Sequence, residues 1–131
     1  MDIPQGVIDV IHRALQEDIG YGDITTSLLI PEESKSRAHY IAKGSFVLSG
    51  LPFVREVFRN LNSSIVFKAF YHDGSKVKQG NVVAEISGRT HTILKGERVS
   101  LNILQRLSGI ATLTSMYVKR IEGLKARIVD T

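Results

Sequence analysis

Cysteine is absent from this chain of 131 residues. That excludes a disulfide framework, thiol nucleophiles and cysteine-ligated zinc. It also fits a reducing compartment, so a cytoplasmic location is expected. The excess of one charge sign is small as well. The formal net charge is +4, with lysines and arginines scattered and no basic block interleaved with aromatics, which argues against nucleic-acid binding. No apolar run is long enough to cross a bilayer, and the opening MDIPQGVIDV lacks the pattern of a signal peptide, so no membrane partner is expected. A nucleophile elbow, a P-loop and a dinucleotide fingerprint are missing. The four histidines, His12, His39, His72 and His91, have no helical partner four residues away, so a local zinc motif is missing too. Asp18 and Asp23 are too few for a hard cation and read as turn residues.

What is present suits one soluble domain with a real core: 43% of residues are hydrophobic and 23% charged. The longest periodic run is GERVSLNILQRLSGIATLTSMYV, residues 96–118. At 100° per residue, Ile103, Leu104, Leu107, Ile110, Ala111 and Val118 share one broad apolar face, expected to be core. Arg98, Asn102, Gln105, Gly109, Thr112 and Met116 form a second, narrow stripe. Amides, a glycine and a small hydroxyl can meet another surface without burying charge. The stripe is therefore expected to face another protein, with Arg98 at its edge. The competing reading pairs Arg98 with its neighbour Glu97 on a solvated face. Ser108-Gly109 reads as a small pair that permits close helix packing.

Residues 4–18 predict a helix, with Pro4 at its first position and Asp2 as a cap. Residues 17–26, rich in glycine and acids, predict a structured loop. A strand is expected from Lys35, bent at Gly44 and continued through residues 46–48. Pro52 opens a second helix with Phe53, Val54, Val57, Phe58 and Leu61 on one face. Further strands are expected at residues 65–71, around Val77, at 82–86 (ended by Ser87-Gly88) and at 91–94. Helices flanking antiparallel-looking strands give an α+β class. After a break at Glu122-Gly123, residues 125–129 read as a strand ending in Asp130-Thr131, where parallel β/α units place functional groups. The chain is expected to be the front piece of something longer.

Two positions stand out as an anion site shared with another surface. Arg98 offers a planar fork for a carboxylate or phosphate, close to a helix N-terminus whose potential is positive. Thr131 offers a hydroxyl at a strand end.

The segments EDIGYGDITT (17–26), SGLP (49–52), DGSKVKQG (73–80), ERVSLNILQRLSGIAT (97–112) and IVDT (128–131) together resemble the quinolinate phosphoribosyltransferase family, over essentially the whole chain and in order. The ER-x-x-LN-x-x-Q-x-x-SGIAT run is the most specific of these; carrier-type β domains share the DG-x-x-V-x-x-G piece. The resemblance implies an N-terminal α/β sandwich of a type II phosphoribosyltransferase over residues 1–122, lid-like and dimer-forming, whose long helix leads into the first strand of a C-terminal α/β barrel at residues 123–131. It implies a homodimer or higher oligomer that converts quinolinate and phosphoribosyl pyrophosphate to nicotinate mononucleotide, carbon dioxide and pyrophosphate, with magnesium, in de novo NAD synthesis. It makes Arg98 a substrate-carboxylate ligand in the neighbouring subunit's site and sets Thr131 against quinolinate. No catalytic residue and no metal ligand is assigned within these residues, and the chain alone is expected to be inactive and to self-associate. A molybdenum-operon homologue of the same superfamily and a lipoyl- or biotinyl-type carrier are the rival readings.

Overall fold

The computed structural model describes residues 3–20 and 28–129. The described elements are α1 (Gln5–Ile19), β1 (Lys35–Ile41), β2 (Phe46–Val47), α2 (Leu51–Leu61), β3 (Val66–Ala69), β4 (Lys76–Val77), β5 (Val82–Arg89) and α3 (Thr90–Arg120). Three strands form an antiparallel sheet in the order β1-β5-β3, and β2 pairs with β4 in a separate antiparallel ribbon. The strand expected to run on through Gly44 is thus two strands in two sheets. The arrangement is α+β, as the alternation of patterns predicts.

The central strand β5 carries Val83, Ala84 and Ile86 into a core shared with Tyr40, Val54, Phe58, Ile93 and Leu104. A second cluster, Ile11, Leu15, Val57 and Val99, joins α1 to α2 and α3. The face of the sheet away from the main core is polar. There Glu85 stands opposite His39 on one side and Lys68 on the other. Its carboxylate lies 2.9 Å from His39 Nε2 and 3.7 Å from Arg37 Nε.

α2 begins where the chain turns sharply. Gly50 sits at φ 111°, a left-handed conformation that favours glycine, and Pro52 follows inside the first turn. The cap comes from far along the chain. Asp73 accepts from Gly50 N at 2.8 Å and from Leu51 N at 3.1 Å, so two helix-terminal donors that α2 cannot satisfy internally are met by one carboxylate. The DG and SGLP segments are therefore structural partners.

Five further expectations need correction. The long helix starts at Thr90, and residues 91–94 are its first turns rather than a strand. Four residues of short alternation are outweighed by a buried stripe of Thr92, Ile93, Gly96, Val99, Ser100, Leu104 and Ser108, which keeps helical spacing throughout. β5 does not stop at Ser87-Gly88 but runs to Arg89, because Gly88, at φ 152°, lets Ile65 lie where a side chain would stand. Residues 126–129 form no strand; strands are stabilised by a ladder, and these residues pair with no backbone among the described residues. The broad apolar face of α3 is only partly core, since Ile110 and Val118 are exposed. The first helix is Gln5–Ile19 with Pro4 at its N-cap; Asp2 lies outside the described residues.

Tyr40 links sheet and helix. Its hydroxyl lies 2.6 Å from Ser100 Oγ, which donates to the Glu97 carbonyl at 2.8 Å. The serine proton is committed to that carbonyl, so the tyrosine O–H must be the donor. Burial above all, with the nearby Glu97 charge adding to it, pushes the Tyr40 hydroxyl up to about 12, the hydrogen bond with Ser100 offsetting part of the rise. Between about pH 10 and 12 the unfolded chain loses this proton while the folded chain keeps it, so stability falls as pH rises. The expected loss by pH 12 is about 2–3 kcal/mol relative to pH 9. Urea titrations across that range, compared with Tyr40→Phe, isolate the effect; parallel pH profiles for the two proteins would refute it.

Candidate functional site

Arg98 lies on the third turn of α3, eight residues after Thr90. The expected boost from a nearby helix N-terminus therefore does not apply, because that effect is confined to the first turn. Its partner is not Glu97. Arg98 Nη1 lies 3.3 Å from Asp18 Oδ1, in the last turn of α1, with the arginine side chain 78% exposed and the aspartate side chain 22% exposed. Val99, next to Arg98, is clamped between Ile11, Leu15 and Val57, so the backbone that carries the guanidinium is fixed and only its long side chain is free to swing. Asp18, expected in a turn, is helical; Asp23 and Thr131 lie outside the described residues.

The second stripe of α3 is exposed at Arg98, Asn102, Gln105, Gly109 and Met116 and half-buried at Thr112. Below Arg98 it borders an apolar groove of about 410 Å³, floored by Tyr40, Ala42, Phe46, Leu101 and Leu104 and rimmed by Gln105, Gly109 and Thr112. The hydroxyls of this helix work inward. Ser108 Oγ accepts from Ser49 N at 3.0 Å and donates to Ser49 O at 3.1 Å. Thr112 Oγ1 accepts from Val47 N at 3.0 Å and donates to Ser108 O at 2.6 Å. Together they meet the Val47 N–H of β2 and the backbone N–H and carbonyl of Ser49 just beyond it. Ser108, rather than Gly109, makes the close contact; nothing lies within 4 Å of a Cβ built on Gly109.

The histidines are engaged in the structure. His12 pairs with Asn60 and His39 with Glu85. His72 Nδ1 donates to Asp73 O at 3.0 Å and His91 Nε2 to Ile30 O at 2.7 Å, carbonyls that can only accept. Among the described residues no three histidine or acidic side chains converge to hold a metal ion, so these residues do not fit a magnesium cage. Among them, too, no helix is long and apolar enough to cross a membrane. A lipoyl- or biotinyl-type carrier presents its lysine at a hairpin tip, and Ser87-Gly88, the turn expected after residues 82–86, is strand.

The sequence reading missed Asp18 as the partner of Arg98. Its spacing of seven from Ile11 and three from Leu15 is the signal that could have placed it on the packed face of α1.

Comparison with known proteins bears on the family and the fold. The model of the quinolinate phosphoribosyl transferase N-terminal domain matches residues 23–108. The chain is 40% identical over 121 residues to a probable nicotinate-nucleotide pyrophosphorylase [carboxylating] of Synechocystis, covering 92% of this chain and 41% of that protein. It is 37% identical over 122 residues to the similarly named Bacillus subtilis protein, covering 93% and 42%. Among solved structures it is similar to NadC from Streptococcus pyogenes (TM-score 0.86, 33% identity, 92% of this chain and 44% of that one). It is similar also to the nicotinate-nucleotide pyrophosphorylase of Francisella tularensis (TM-score 0.89, 34% identity, 99% and 47%). The chain thus spans less than half the length of each of these relatives. Family model, relatives and fold agree, and the chain belongs to the quinolinate phosphoribosyltransferase family, whose N-terminal domain it carries.

Proposed function

We propose that this chain supplies the Arg98-bearing N-terminal half of a cytoplasmic quinolinate phosphoribosyltransferase. The observation that carries this is a guanidinium held out on a rigid helix, touched among the described residues by one carboxylate, beside an exposed stripe able to meet a second copy. Its partner in this reading is that copy, whose site Arg98 enters.

The substrate chemistry calls for such a group. Quinolinate brings two carboxylates and phosphoribosyl pyrophosphate brings its phosphates, and gathering that charge in a dry site requires fixed cations. The pyridine nitrogen attacks the ribose anomeric carbon and pyrophosphate leaves with the bonding pair. The resulting cationic ring accepts the electrons of the C–CO2 bond, carbon dioxide departs, and the ring carbon takes a proton. Arg98 contributes one planar grip on a carboxylate. Magnesium and Thr131 belong to this reading as expectations, with no step assigned to either.

The test is a chimera in which residues 1–131 replace the matching segment of the Bacillus subtilis relative. Turnover of quinolinate with phosphoribosyl pyrophosphate is expected within about tenfold of the parent's kcat/KM. A folded chimera that releases no carbon dioxide from quinolinate overturns the reading.

A further inference from the structure

We propose that Asp18 is the positioning residue for Arg98, aiming the guanidinium before substrate arrives; the inference rests on the reading of Arg98 as a carboxylate ligand. The two partners are unequal. Asp18 follows Ile11 and Leu15 at steps of four and three, so it shares the face of α1 locked against α2 and α3. Its side chain is mostly covered while that of Arg98 is mostly in water. The acid is thus the fixed member and the arginine the mobile one.

The pair adds little to folding, because exposed ion pairs rarely do. What it changes is the freedom of a long side chain. Among the described residues one guanidinium nitrogen rests 3.3 Å from one carboxylate oxygen, and the planar fork carries further N–H groups that can take a second carboxylate. Asp18 also carries a negative charge that opposes an incoming anion. With Arg98 largely in water that repulsion is weakened by solvent and salt, whereas the cost of ordering a free arginine at binding is not screened. Restraint therefore outweighs repulsion, and removing the acid weakens substrate binding.

The experiment uses the chimera described above and reads KM for quinolinate. Asp18→Ala is expected to raise KM by roughly two- to tenfold, the cost of immobilising one long side chain, while kcat changes by less than about twofold. Asp18→Asn, nearly isosteric, moves KM in the same direction and serves if alanine disturbs the helix end. The decisive readout is the double mutant. If Asp18 acts through Arg98, adding Asp18→Ala to Arg98→Ala raises KM no further. An unchanged or lowered KM in the single mutants, or additive effects in the double mutant, overturns the proposal. If Arg98→Ala itself leaves KM unchanged, the reading of Arg98 fails and this inference falls with it. If Arg98→Ala raises KM and the Asp18 variants do not, the positioning role alone is refuted.

Discussion

Gly96→Val is expected to lower folding stability by about 3 kcal/mol, at the upper end of what overpacking costs. A Cβ built on Gly96 would lie 2.4 Å from Phe58 Cε1, 2.8 Å from Phe58 Cδ1 and 3.1 Å from Leu61 Cδ1. Phe58 is 1% exposed and walled in by the main core, so its ring cannot retreat without moving α2 away from α3. Alanine at the same position sets two terms against each other. Helix propensity favours it by about 1 kcal/mol, and the clash opposes it by about 1–3 kcal/mol, so a smaller net loss is expected. Gly109 is the internal control. It lies on the same helix, is exposed and has nothing within 4 Å of a built Cβ, so Gly109→Ala should stabilise by up to about 1 kcal/mol. Urea denaturation with unchanged slope measures all three variants. The account fails if Gly96→Val matches the parent, or if Gly96→Ala and Gly109→Ala shift stability equally.

That contrast shows where the sequence was legible and where it was not. Apolar periodicity located α1, α2 and most of α3, and Pro52 located the entry to α2. The buried stripe of α3, however, includes Thr92, Gly96, Ser100 and Ser108, residues that a search for apolar spacing passes over. Their burial depends on distant partners: Phe58 for Gly96, Tyr40 for Ser100, Ser49 for Ser108. Ile110 and Val118 fit the helical period yet stay exposed, because periodicity identifies a face without saying what covers it. The candidate site divides the same way. Arg98 was legible as a lone fixed cation at the end of an uncharged stripe. Its tie to Asp18 was not, because the two are joined only when α1 packs on α3.

The second large effect falls on chemistry. In the chimera, Arg98→Ala is expected to lower kcat/KM for quinolinate by about 2–5 kcal/mol, the cost of truncating one member of a desolvated charge pair, or roughly 30- to 5,000-fold. Folding should barely change, since the Arg98 side chain is 78% exposed and its ion pair is of the weak surface type. A loss of activity without loss of stability is therefore the signature of a binding role. Arg98→Lys separates charge from shape. It keeps a cation but presents three donors from a single nitrogen in place of the planar fork, so it should recover only part of the loss. If Arg98 serves only as a solvated partner for Asp18, all three proteins will turn over quinolinate alike. If charge alone matters, lysine will restore the parent rate. Only the ordered series, parent above lysine above alanine at equal stability, is what a bidentate grip on a substrate carboxylate produces.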